Sequence, residues 1–262
     1  MTSTQPATLP TTKRAVVTGG SSGIGAATVR ALRAQGWDVV AVARRAERLE
    51  ALAAETGCEI VVADVTNDDS VTEAVTSITA GGRVDVLVNN AGGALGLDRV
   101  DGADLGKWSA MYELNVVGTL RMTQTLLPAL RETAGDIVFI TSTAGHEPYE
   151  GGAGYVASKY GERVAARTLR LELVGEPLRV IEIAPGMVHT EEFSLVRFDG
   201  DAERAAGVYE NVDRPLLAED IAEAVRWTVT LPKHVNIDTM IVRPVAQGGA
   251  TKLAKGPLGF QD

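Results

Sequence analysis

The segment 155-YVASKY-160 places a tyrosine and a lysine, Tyr155 and Lys159, four positions apart. On a helix, positions i and i+4 share a face, so a phenol and an ammonium would stand one turn apart. A free phenol titrates at about pH 10, too high for efficient proton exchange near neutrality. An ammonium alongside favours the phenolate, and such a pair can give a proton to an oxygen or take one back. Tyr160 points about 100° around the helix from Lys159, and Tyr149 precedes the helix. The same spacing also occurs in ordinary helical turns, so its meaning depends on what surrounds it.

A second cluster follows the first apolar run. The stretch 18-TGGSSGIG-25 leads into AATVRALRAQG, a strand-to-helix turn carrying Gly19, Ser21, Ser22, Gly23, Ile24 and Gly25. Glycines there permit positive φ and close approach of a diphosphate, whose charge the free N–H groups of a helix start can bind. The spacing is Gly19-x3-Gly23-x-Gly25, and no Lys-Ser/Thr follows, which excludes a Walker loop. The second apolar run ends at 41-AVARRAERLE-50. A site preferring NAD puts a carboxylate at this strand end to hold the ribose 2′-hydroxyl. Ala43 stands there instead, followed by Arg44 and Arg45. Guanidinium groups suit a 2′-phosphate, so NADP(H) is the expected cofactor.

The elements that must position these groups alternate along the chain. Seven short β-branched runs begin near residues 15, 38, 59, 85, 136, 179 and 239, separated by longer helical stretches. This pattern predicts βαβ units: a doubly wound α/β domain of Rossmann type with a seven-stranded parallel sheet. We place the domain at residues 13–250, after a disordered leader at 1–12 and before a C-terminal tail at 251–262. The regularity breaks at about 187–215, which reads as a substrate lid or as a plain surface excursion. At 262 residues one large domain is the natural size. The net charge of −9 disfavours nucleic acid and anionic membrane as partners. A single cysteine, Cys58, rules out an internal disulfide and a cysteine-based zinc site, which suits a cytoplasmic protein. No spacing suggests a metal site, and His146 and His189 read as pocket-edge or surface residues.

With these residues in view, the chain resembles the compact, single-domain branch of the short-chain dehydrogenase/reductase family. The likeness rests on 18-TGGSSGIG-25, 64-DV-65, 89-NNAG-92, Asn115, Ser142, 155-YVASK-159, 185-PG-186 and Thr190, in family order. It implies hydride transfer between a nicotinamide and a carbonyl or secondary alcohol. Tyr155 would be the general acid, Lys159 its modulator and a ribose ligand, Ser142 the group orienting the substrate oxygen. Asn115 would support a water that relays protons to the lysine. By the same likeness Asp64 and Val65 would contact adenine, Asn90 would line the cofactor cleft, and Gly186, Val188 and Thr190 would hold the carboxamide.

The second half narrows the likeness to NADP-dependent 3-hydroxy acid dehydrogenases acting on serine, allo-threonine and related compounds. Arg197 would then pair with a substrate carboxylate, or else knit the excursion to the acidic DGDAE run. Biosynthetic ketoreductases of secondary metabolism and an NADP-binding redox sensor without turnover are the alternatives. The family also implies a homotetramer. Its paired helices would be those from about Asp104 to Leu130 and from about Ala153, which carry more apolar residues than one sheet face covers.

Overall fold

The computed structural model describes residues 12–260, so the expected leader lies outside the described residues except for Thr12. Each of the seven apolar runs forms a strand. They are β1 (Arg14–Thr18), β2 (Asp38–Ala43), β3 (Glu59–Val62), β4 (Val86–Asn89), β5 (Asp136–Ile140), β6 (Arg179–Pro185) and β9 (Thr239–Val242). All pair in parallel, in the order β3-β2-β1-β4-β5-β6-β9. Between β6 and β9 lies a separate parallel pair, β7 (Val188–His189) with β8 (Leu216–Leu217).

The period of two along each strand divides the core in two. Val16, Val40, Leu87, Ile137 and Val180 face α3 (Asp68–Ala80) and α5 (Thr119–Thr133). Val17, Val39, Val88, Val138 and Ile181 face α1 (Gly23–Ala34), α2 (Ala46–Thr56) and α9 (Ala218–Thr230). Strands buried on both faces must be apolar without interruption, which is why the runs were visible. Because β1 lies between β2 and β4, chain order reverses there, and the crevice beyond these strand ends is where such sheets hold ligands.

The long helix expected from Asp104 forms and carries a π-helical turn within it. Asp104 caps α4 (Leu105–Tyr112) by accepting from Gly106 N at 2.8 Å. A π-helical turn (Glu113–Gly118) then precedes α5. Met111, Met122 and Leu126 are buried within the chain, as are Val156 and Leu173 of the second helical region. Less apolar surface therefore remains for a partner than the sequence suggested. What stays outside is a stripe on α6 (Ala153–Glu172), with Ala157, Val164 and Leu171 exposed at seven-residue spacing, and Tyr112 of α4 beside it.

Candidate active site

The glycine turn leaves β1 at the reversal point. Gly19 adopts φ +64°, and a Cβ there would lie 2.8 Å from Asn90 Nδ2 and 2.9 Å from Ala91 Cα. A Cβ on Gly25 would stand 2.2 Å from Gly19 O, so the first turn of α1 and the loop are in direct backbone contact. Thr18, which sequence reasoning passed over, ties the floor together. Its Oγ1 accepts from Asn90 N and Ala91 N, both at 3.0 Å, while Asn90 Nδ2 donates to Thr18 O. Two strand ends are thus locked into one backbone-lined cradle, with Ser21, Ser22, Gly23 and Ile24 half-buried along its rim.

The two arginines after β2 part company. Arg44 lies 3.9 Å from Asp64 and is largely exposed. Asp64 accepts from Thr66 N and Oγ1. Burial pushes its carboxyl up, but these bonds together with Arg44 and Arg121 leave it below the ordinary value. Val65 is buried against Gly118. Arg45 turns the other way, reaching Ser21 Oγ and Ser22 Oγ at 3.0 Å each. Its fork also holds Glu192, with Nη1 to Oε1 at 2.7 Å and Nη2 to Oε2 at 2.9 Å.

The residues expected to react stand across the crevice. Ser142 follows β5, and its Oγ accepts from Ala144 N at 3.1 Å, capping a 3-10 turn over Thr143–Gly145. That turn lies tight on α6, where a Cβ on Gly145 would be 2.8 Å from Lys159 O. Tyr155 and Lys159 sit on the first turns of α6, both buried. Lys159 Nζ donates to Ile140 O at 3.1 Å and to Glu162 Oε2 at 2.6 Å. Asn115 lies in the π turn, a distortion common at functional sites. Its amide binds Gly93 in both directions at 2.9 Å and donates to Ser158 Oγ at 2.8 Å. Gly92 lies between the two, since a Cβ on it would meet Asn115 Oδ1 at 2.9 Å and Lys159 Nζ at 3.3 Å. Asn115, Lys159 and the 89-NNAG-92 loop therefore converge.

Glu162 was not anticipated, because three positions after the lysine it reads as an ordinary surface carboxylate. Instead it is fully buried, and burial pushes its carboxyl up to about 7 although Lys159 opposes this. For Lys159, burial is the largest influence and pulls downward, but Glu162, by charge and hydrogen bond, and Tyr155 together outweigh it, and the ammonium is held above its usual range. His146 also departs from expectation. Rather than lining an edge, its Nε2 sits 2.9 Å from Glu182 Oε1, in a network completed by Thr141 Oγ1 and Thr239 Oγ1. Glu182 is fully buried in β6, where the two threonine hydroxyls donate to its oxygens and His146 Nε2 stands at hydrogen-bond distance, so a polar group that would be costly to bury alone has partners.

Residues 187–215 pack onto this assembly. Gly186 is seated by Gln247, whose Oε1 accepts from Met187 N at 2.8 Å. Val188 pairs with Leu216 in β7–β8, and the Thr190 methyl lies 3.4 Å from where a Gly23 Cβ would be. His189 stacks edge-on against Tyr209. In α7 (Phe193–Arg197), Phe193 meets the Tyr155 ring edge-on, with centroids 5.8 Å apart. Arg197 lies 5.8 Å from the same ring and donates to Gly96 O at 3.1 Å and Tyr149 Oη at 3.0 Å. It does not bind the acidic run, which Lys107 holds through Asp199 at 2.8 Å. Residues 251–260 fold back over this region, with Gly256 N donating to Asn211 O at 2.8 Å.

A glycine cradle at a sheet's reversal point, facing a tyrosine–lysine pair on the next face of the crevice, defines a dinucleotide-dependent oxidoreductase arrangement. The sequence profile of the short chain dehydrogenase family matches residues 13–198. The chain belongs to that family. It is 54% identical over 253 residues to an uncharacterized oxidoreductase of Mycobacterium tuberculosis, covering 96% of this chain and 99% of that one. It is 44% identical over 239 residues to the NADP-dependent 3-hydroxy acid dehydrogenase YdfG of Salmonella typhi, covering 90% and 96%. Among solved structures, the closed form of serine dehydrogenase complexed with NADP+ superposes with a TM-score of 0.87 at 42% identity, covering 90% and 97%.

Proposed function

We propose that this oxidoreductase uses NADP(H) and interconverts a small 3-hydroxy acid and its 3-oxo form. The observation that carries the cofactor is Arg45. With the Ser21 and Ser22 hydroxyls beside it, its fork already grips an oxyanion, the Glu192 carboxylate, in the bidentate geometry a phosphate also offers. The cradle of Gly19, Gly23, Gly25 and Asn90 suits the diphosphate, Asp64 and Val65 the adenine end, and Gly186, Val188 and Thr190 the carboxamide. When bound, the nicotinamide supplies or accepts the hydride.

The chain's own residues manage the proton. Tyr155 donates its phenolic proton to the substrate oxygen during reduction and recovers it during oxidation, while Ser142 orients that oxygen. Lys159, whose ammonium Glu162 helps to hold, stands one turn from Tyr155 and holds the nicotinamide ribose. Asn115 supports a water that relays protons to Lys159. Arg197, beside the Tyr155 ring, is the cation for a substrate carboxylate, and residues 187–215 act as the lid. The relatives named for serine and 3-hydroxy acids support this substrate class.

The cavity lined by Tyr155, Leu95, Met111 and Gly151 measures about 10 Å³, room for one water. The exposed stripe of α6 beside Tyr112 is the surface by which we expect two chains to pair, two such dimers making the homotetramer. No helix among the described residues is long and apolar enough to cross a membrane, and the single buried thiol suits a cytoplasmic enzyme. NADPH oxidation measured with 3-oxo acids and with simple ketones tests the reading. Preference for the acids is expected; binding of NADPH without turnover of any substrate would make the protein a sensor.

A further inference from the structure

We propose that Glu192 is an intramolecular occupant of the 2′-phosphate pocket, and that its competition for Arg45 tempers the preference for a phosphorylated cofactor. This rests on the NADP reading above. The Glu192 carboxylate takes both arms of the Arg45 fork, and Arg48 closes on it from the other side. Arg45's hydrogen bond, aided by Ser22 and Arg48, holds the Glu192 carboxyl below the usual range against the pull of partial burial. The group is therefore charged at neutral pH. A carboxylate and a phosphate need the same donors and repel one another, so the fork serves one of them at a time.

The outcome of that contest depends on charge. A 2′-phosphate carries about 1.5 to 2 negative charges near pH 7 and outbids a carboxylate for a guanidinium. A ribose 2′-hydroxyl carries none and leaves Glu192 in place. Glu192 thus weakens the grip on a 2′-phosphate without touching a cofactor that lacks one, and so narrows the advantage of NADPH over NADH. Glu192 is also the residue immediately before α7, whose Phe193 and Arg197 cover the Tyr155 ring. Release of Glu192 frees that segment at its anchored end, so binding of a phosphorylated cofactor loosens the cover over the reacting tyrosine.

Calorimetric titration of the full chain with adenosine 2′,5′-bisphosphate and with 5′-AMP separates the possibilities, because the two probes differ only in the 2′-phosphate. Glu192→Gln should tighten the bisphosphate roughly fivefold, the scale of a partly exposed ion pair. Its 5′-AMP affinity should stay at the wild-type value, and the gain should vanish when Arg45→Ala is added. Unchanged or weaker bisphosphate binding by Glu192→Gln overturns the proposal while leaving the NADP reading intact. A wild-type chain that does not distinguish the two probes overturns both.

Discussion

The two walls of the crevice are built from different materials. On the β1 side the site is backbone: Gly19, Gly25 and the Asn90–Ala91 peptide are in mutual contact, and Thr18 stitches them. On the α6 side it is side chains, with Lys159 held by Glu162, Asn115 held by Ser158, and Tyr155 on the same helix. A backbone cradle recognises what all dinucleotides share and tolerates no added atom. A side-chain wall performs one proton transfer and can be altered group by group. Damage should accordingly fall on binding in the first wall and on chemistry in the second.

The sharpest break is Tyr155→Phe, which deletes only the proton donor. Turnover should fall roughly 100- to 10,000-fold, the usual contribution of a positioned acid. NADPH affinity, followed by fluorescence titration, should stay at the wild-type level. Nearly full activity would show that the proton comes from elsewhere.

Glu162→Gln probes the same wall through stability. The carboxyl is raised to about 7 in the folded chain, so the folded state binds more protons between the ordinary carboxylate value and about 7. Its contribution is intact at acid pH and is lost as pH rises through that window, by up to about 3 kcal/mol. Urea melts at pH 5 and pH 8 should show a clear fall for the wild type and a flatter dependence for the variant. Equal slopes would mean that the pair titrates elsewhere.

Gly25→Ala breaks the other wall. Its Cβ would press on Gly19 O, and overpacking of this kind costs about 1–3 kcal/mol. Cofactor affinity should drop in proportion, roughly tenfold or more, while turnover at saturating cofactor recovers. Loss of turnover that saturation does not restore would erase the distinction between the walls. The smallest effect belongs to Arg197→Ala. Losing a charged hydrogen bond, about 1.5 kcal/mol at the low end, should raise KM for a 3-hydroxy acid roughly tenfold. A simple secondary alcohol should be unaffected; an equal rise for both would reduce Arg197 to a lid contact.

The sequence by itself determined the sheet, because doubly buried strands leave unbroken apolar runs and glycines mark the turn where backbones touch. It also singled out Tyr155 and Lys159 by their spacing, and Ser142 and Asn115 through the family resemblance. The roles of Glu162, Glu192, Gln247 and His146 were not legible. Glu162 lies only three residues from Lys159, yet no pattern in KYGER says that this face of α6 is dry. Glu192 meets Arg45 across 147 positions, Gln247 meets Met187 across 60, and His146 meets Glu182 across 36. A charge advertises its sign in sequence, but its partner and its burial depend on which strand ends become neighbours, and that is fixed only when the sheet closes its order around β1.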